Sequence, residues 1–246
     1  MKRLLILAVM IATACFMTAC KNEPTENFIA SKFDRYADSS AVNQMIFVFW
    51  YGHGSDAEVI MFTREEGGGK WQEALRCDGY VGQNGLSADR HEGDMTTPVG
   101  DFGIIESFGI KENPGTKLPY FVVEDHHWSC SDPEHYNKII DIREFPHECS
   151  GEHLINHVPA YNYSFFFDFN KECIVGKGNS IFFHCFGKCT YTEGCVAVAE
   201  ENMVKIMQTI DMGARVIIAD FSGRESFASV RKSSVHTNEI AGRGPQ

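Results

Sequence analysis

Basic side chains are scarce in this 246-residue chain: 22 Lys and Arg stand against 33 Asp and Glu, for a formal net charge of -11. A surface this acidic repels phosphate backbones and anionic headgroups, so nucleic acid and an anionic bilayer surface are excluded as direct electrostatic partners. No C-x-x-C pair occurs among the nine cysteines. The spacing therefore shows neither the dithiol of a redox enzyme nor the paired ligands of a structural zinc module. There is no internal repeat, which sets solenoids and propellers aside. What is present suits a globular body: 43% of residues are hydrophobic and 22% charged, enough apolar material for a core and too little charge for a disordered chain.

The first nineteen residues read as an export signal. Lys2 and Arg3 precede an uncharged, mostly apolar run at residues 4–17 that is too short for a membrane span. The run closes on Met17-Thr18-Ala19-Cys20, which resembles a bacterial lipobox in which cleavage frees a cysteine to receive diacylglycerol. Cys20 is then the lipidated mature N-terminus. Thr13-Ala14-Cys15 is a competing site, and ordinary signal cleavage nearby is the plainer alternative. The expectation is an exported lipoprotein, membrane-anchored on the periplasmic or cell-surface side. Removal of residues 1–19 leaves 20 basic against 33 acidic side chains, a net charge of -13.

Residues 20–42 are polar and weakly patterned, as in a tether. The folded body is expected over residues 43–221, with residues 222–246 a flexible tail of small and polar residues. Within the body, residues 44–51 form an aromatic and β-branched run that favours a buried strand. Residues 58–65 and 70–78 flank Gly67-Gly68-Gly69 as a hairpin. Further strands are expected over 100–106, 119–124, 162–169, 179–186 and 214–221. A helix is expected over 200–211, where Met203, Ile206, Met207 and Ile210 recur at i, i+3, i+4 and i+7. Residues 124–159 carry Trp128, many His and acids, and little period; they read as a long irregular lid. The body is thus mostly β, a sandwich or barrel with one clear α-helix.

One segment carries the residues of a chemistry. His184 ends an apolar strand, and Gly194-Cys195 follows just before another apolar run. A free thiol has a pKa near 8.5, and an adjacent imidazole that accepts its proton supplies a thiolate at neutral pH. Gly194 permits close approach of a substrate, and backbone N–H groups around Gly194 and Cys195 suit an oxyanion. Against this, a buried cysteine and a strand histidine are more often core and edge residues than catalysts.

Thr192-Glu193-Gly194-Cys195 after His184 resembles the signature of the L,D-transpeptidase catalytic domain (YkuD-like) family, a His followed by Ser/Thr-x-Gly-Cys. Val81-Gly82-Gln83-Asn84-Gly85 and the stretch His91-Glu92-Gly93-Asp94 to Thr97-Pro98-Val99-Gly100 resemble the family's segment ending in Thr-Pro-x-Gly. Leu118-Pro119-Tyr120, Trp128, Tyr136-Asn137, Tyr161-Asn162-Tyr163 and Gly176-Lys177-Gly178-Asn179-Ser180 recur in order in one branch. The resemblance spans about residues 43–220. It implies a flattened β-sandwich with the helix after the catalytic Cys and the irregular lid. The implied function is a peptidoglycan L,D-transpeptidase that attacks the third, diamino-acid residue of a stem tetrapeptide, releases D-alanine and passes the acyl group to an amine.

By the same resemblance Cys195 is the nucleophile, His184 the general base and later acid, and Gly194 part of the catalytic turn. Cys185 would supply the carbonyl that orients the imidazole. Thr192, Trp128 and Tyr136 are the substrate-binding candidates, though Thr192 equally suits support of the turn and Trp128 and Tyr136 anchorage of the loop. No cofactor and no metal are implied. The partners are stem peptides and, through the N-terminal lipid, a membrane, and the chain is expected to act as a monomer. Three positions depart from the pattern: Glu193 stands where His is usual, Ala197 where Arg is common, and the His-to-Cys gap is short.

Rival readings use the same residues. The acyl-enzyme could pass to water, as in a carboxypeptidase or peptide amidase, and a non-catalytic peptidoglycan-binding lipoprotein would keep the fold. His184, Cys185, Cys189 and Cys195 could instead hold zinc, against which the spacing speaks. Cys185 and Cys189 could form a local bridge. His126, His127, Asp132, Glu134, His135, His147, Glu148, His153 and His157 invite a metal reading, but their irregular spacing favours solvated side chains of a lid.

Overall fold

The strand β1 (Gln44–Trp50) is buried along almost its whole length, because both of its faces are covered. A strand so placed needs apolar residues at every position, which is why its sequence is a continuous run and not an alternation. Ile46 and Val48 enter the main core, while Phe49 on the other face packs edge-on against Phe221 with ring centroids 4.9 Å apart. In this computed structural model, residues 25–146 and 148–224 are described. Cys20, the export signal, His147 and most of the expected tail lie outside them.

β2 (Asp56–Thr63) and β3 (Gln72–Tyr80) pair antiparallel, and Gly67, Gly68 and Gly69 between them all take positive φ, the turn chemistry anticipated for this hairpin. Two short strands, β4 (Leu86–Ser87) and β5 (Thr97–Pro98), pair with each other. β6 (Gly100–Phe102), β7 (Ile104–Gly109) and β8 (Tyr120–Val122) follow. β9 (His127–Cys130), β10 (Lys138–Asp141) and β11 (Glu152–His153) form a separate three-stranded sheet. β12 (Ser164–Phe167), β13 (Phe182–Cys185), β14 (Val196–Val198) and β15 (Arg215–Asp220) complete the strands.

The main sheet has ten strands in the order β6-β15-β1-β2-β3-β14-β13-β12-β7-β8. β6 opens that order and β7 is ninth in it, yet only Gly103 separates them in the chain. The sheet must therefore curl until its ends meet. The contacts agree: the Asp168 N–H donates to the Gly103 carbonyl at 3.0 Å, the Gly103 N–H donates to Asp168 Oδ1 at 2.8 Å, and the Phe102 and Phe167 rings stand 5.2 Å apart. The two halves of the sheet face each other across one core containing Ile46, Val59, Phe165, Phe183 and Val216. Each such side chain stabilises the fold by roughly 1.5–3 kcal/mol relative to exposure.

The expected helix forms as Glu200–Thr209 and buries Met203, Ile206 and Met207, the apolar stripe read from the sequence. A second helix, Thr25–Arg35, occupies the stretch read as a tether; in chain order these are α2 and α1. α1 escapes an apolar-periodicity reading because its supports are polar: Glu26 in the first turn, Lys32 and Arg35 in the last, and Lys32 lying 5.1 Å from the Phe28 ring centroid. It falls in a compact unit separate from residues 40–223. No helix among the described residues is long and apolar enough to cross a membrane. The mostly-β class holds, but the lid is less irregular than expected, since β9–β11 lie inside it. Strands of two to four residues are too short for alternation to show in a sequence.

Candidate active site

β13 and β14 run parallel as neighbours near the middle of the sheet, with Phe183 opposite Val196 and His184 opposite Ala197. Strand alternation then sorts the side chains. Phe183, Cys185 and Val196 enter the main core, whereas Phe182 and Cys195 share a second cluster with Phe108, Tyr161 and Phe166 on the other side. His184, two residues from Phe182, belongs to that second face, and its ring meets Tyr161 edge-on at 5.5 Å. Eleven residues apart in the chain, the thiol and the imidazole thus come to one face of one pair of strands.

His184 is buried, and its Nδ1 lies 2.6 Å from the Cys185 carbonyl oxygen. That carbonyl accepts a hydrogen bond from Nδ1–H, which keeps the proton on Nδ1 and leaves Nε2 with its lone pair. Burial lowers the imidazole pKa from 6.5 to about 4, with the nearby His157 adding to the shift. The Cys195 thiol donates to the Ser180 carbonyl at 3.2 Å and accepts the Phe182 N–H at 3.3 Å. Burial, reinforced by the negative charge of Glu152, pushes its pKa up to about 12. Cys195 and His184 share no hydrogen bond among the described residues. Desolvation disfavours both charged partners, so burial favours the neutral thiol and imidazole over a thiolate–imidazolium pair.

The turn before the nucleophile is tied down by two threonines. Thr192 Oγ1 donates to the Cys195 carbonyl at 2.7 Å and accepts the Gly194 N–H at 3.2 Å. Thr97, the threonine of Thr-Pro-x-Gly, donates to the same carbonyl at 3.0 Å. Gly194 sits at φ 142°, and a Cβ there would stand 2.7 Å from Arg90 Nη2 and 2.9 Å from the Thr96 carbonyl oxygen, so no larger residue fits.

Cys195 lines a cavity of about 230 Å³ whose walls include Arg90, Glu92, Ser131, Glu152 and Glu193. A larger cavity of about 590 Å³, lined by Ile105, Ile140, Phe145 and Cys173, holds neither His184 nor Cys195. Arg90 is buried and donates to the carbonyls of Thr96 at 2.7 Å, Lys177 at 3.4 Å and Glu193 at 3.3 Å. Its positive charge acts on Cys195, favouring the thiolate. Glu152 accepts a hydrogen bond from the Tyr161 hydroxyl, and burial raises its pKa to about 7. Sequence reasoning missed Arg90 as a site residue. One signal was available: it is the single Lys or Arg between Arg76 and Lys111. Glu152 carried none, being one acid among many in the lid.

The proposed substrate contacts are placed differently. Thr192 is buried within the turn. Tyr136, also buried, donates to Glu92 Oε2 at 2.9 Å and accepts the Gly178 N–H at 3.0 Å, so it stands behind the cavity wall and positions Glu92. Trp128 lies in β9 and stacks on His153 at 4.3 Å, and it is not part of the lining. The conceivable zinc set is not assembled: Cys185 points into the main core, and Cys189 is exposed.

Compared with known proteins, residues 66–218 match the sequence profile of the YkuD family, described as the L,D-transpeptidase catalytic domain. No curated protein sequence matches the chain. Solved structures similar to it include the avibactam carbamoyl enzyme of Ldtfm (15% identity over 72% of this chain and 49% of that one, TM-score 0.34). An Enterococcus faecium L,D-transpeptidase mutant gives 13% identity over 72% and 50%, TM-score 0.34. An L,D-transpeptidase from Mycobacterium smegmatis gives 11% over 71% and 58%, TM-score 0.32. The chain spans about half the length of the first two.

Proposed function

Since the chain belongs to the L,D-transpeptidase catalytic domain family, we propose that it is a cysteine-dependent acyltransferase of peptidoglycan, acting on stem tetrapeptides through a Cys195 acyl-enzyme. The observation that carries this reading is the placement of Cys195 in the lining of a cavity, on the same sheet face as an imidazole whose Nδ1 is held by the Cys185 carbonyl. As Sγ bonds to the carbonyl carbon of the diamino-acid residue, the thiol proton passes to His184 Nε2. The same proton goes to the departing amine of D-alanine as the C–N bond breaks. An acceptor amine then attacks the thioester and gives up a proton to Nε2, and the thiol recovers it as the C–S bond breaks.

A pair that burial favours in the neutral form moves its proton during attack and not before it. Substrate must displace the Ser180 and Phe182 contacts of the thiol. Arg90 supplies positive potential where the tetrahedral oxyanion develops. The basic start, apolar run and Cys20 support an exported lipoprotein that meets its polymer outside the cytoplasm.

The test incubates the full chain with disaccharide tetrapeptides and reads the products by mass spectrometry. Cross-linked dimers are expected. Tripeptides alone would assign the acyl group to water. Absence of both products, together with absence of a Cys195 adduct with a carbapenem, would remove the enzymatic reading.

A further inference from the structure

The cysteines outside the catalytic turn are not spread evenly. Cys130 ends β9, and Cys149 lies just before β11, which pairs with β9 through Glu152 opposite Ser129. Gly151 allows that approach: a Cβ there would stand 2.0 Å from the Ser129 carbonyl oxygen, so the segment carrying Cys149 can lie against β9 only without a side chain at this place. Asp132 completes the group. Cys130 Sγ is 2.9 Å from Asp132 Oδ2, and the ligand atoms of Cys130, Asp132 and Cys149 all lie within 4.8 Å of one another. The two sulfurs are not bonded to each other.

The carboxylate is oriented from outside the group. The Ser150 N–H donates to Oδ2 at 3.0 Å and the Ser150 hydroxyl to Oδ1 at 2.8 Å, the kind of outer support that fixes a metal ligand's direction. With Zn–S near 2.3 Å and Zn–O near 2.0–2.2 Å, the edges of a tetrahedral site are about 3.5–4 Å, so small side-chain adjustments bring these three atoms around one ion. A second group, His126, His127 and Asp141, is weaker, because Arg143 Nη2 already holds Asp141 at 2.7 Å.

We propose that Cys130, Asp132 and Cys149 form a zinc-binding site that fastens the segment entering β11 to the end of β9. Two sulfur donors select zinc over magnesium or calcium. Binding releases both thiol protons to solvent, and two thiolates with one carboxylate leave the zinc-loaded site with one net negative charge. Among the described residues these three supply the ligands. The site borders the catalytic cavity by chain connectivity: Ser131, between two ligands, and Glu152, three residues after the third, both line it. Loading would therefore set the position of that wall.

The experiment uses the full chain, purified under a non-chelating reductant, equilibrated with zinc, gel-filtered and assayed for metal by atomic emission. About one zinc per chain is expected, falling to background in Cys130→Ser and Cys149→Ser and unchanged in Cys173→Ser and Cys189→Ser. Cobalt should give a sulfur-to-metal charge-transfer band that Cys149→Ser lacks. Folding is followed separately: zinc should raise the Tm of the parent chain and leave that of Cys149→Ser unmoved. Zinc no higher in the parent than in Cys149→Ser would overturn the site. So would a Cys130–Cys149 disulfide whose reduction yields a chain that takes up no metal.

Discussion

The floor and the wall of the catalytic cavity are built in different ways. The floor rests on two parallel strands: Cys195 lines the cavity and His184 does not, yet both come from one short segment, and their shared face follows from the register of β13 on β14. The wall gathers Arg90 and Glu92, Ser131 and Asn179 from separate loops, held by contacts that converge from elsewhere, such as the three carbonyls around Arg90. The floor is fixed by backbone pairing, while the wall is fixed by side chains. The chemistry is thus assigned to the part of the site least able to move, and substrate fit to the part most open to change.

That contrast can be broken or sharpened by substitution. The largest effect is expected for Cys195→Ala: product formation should fall by at least about 10⁴-fold, with no acyl-enzyme by mass spectrometry and a thermal midpoint close to the parent's. Next comes His184→Gln, with a loss of about 10²–10⁴-fold. It should also leave a signature in stability. Because folding lowers the His184 pKa from 6.5 to about 4, the folded chain refuses a proton that the unfolded chain accepts. The stability from the neutral imidazole is present above pH 6.5 and lost as pH falls toward 4, by roughly 3 kcal/mol. The difference in unfolding free energy between parent and His184→Gln, from denaturant titrations at pH 7 and pH 4, should shrink by about that amount; a constant difference would contradict the burial argument.

Arg90→Lys probes the wall. Lysine cannot reproduce the three directed bonds, so kcat/KM should fall about 10–100-fold, with a loss of stability that Cys195→Ala does not show. An Arg90→Lys enzyme with parental kinetics would make the wall dispensable. The smallest effect is expected for Tyr136→Phe, which removes the bond to Glu92 and the acceptor for the Gly178 N–H. About 1–2 kcal/mol of stability should be lost, with a rise in KM and little change in kcat.

The same contrast explains what the sequence revealed. Cys195, His184 and the turn between them were legible because a parallel strand pair compresses the site into eleven positions. The strands of the main sheet were legible where they are long, as in β1 and β2, and helix α2 showed its stripe directly. Arg90 showed only its isolation from other basic residues and Glu152 nothing at all, since the role of each depends on loops meeting in space. Trp128 and Tyr136 drew attention as aromatic residues in an irregular stretch, yet one stacks on His153 and the other braces Glu92. Aromatic character reports burial there, not contact with the cavity. The pull of burial toward a neutral catalytic pair was equally hidden, because desolvation depends on the whole surrounding cluster.

Gly103 gives the curled sheet a mechanical character of its own. A sheet that ends in open air can lengthen its connections without disturbing distant strands, but here one residue ties the first strand of the order to the ninth. It works like the clasp of a hoop: slack introduced at that residue would loosen the circumference everywhere, including the strand pair opposite. A loop insertion there should be felt at Cys195, although the clasp touches no part of the site.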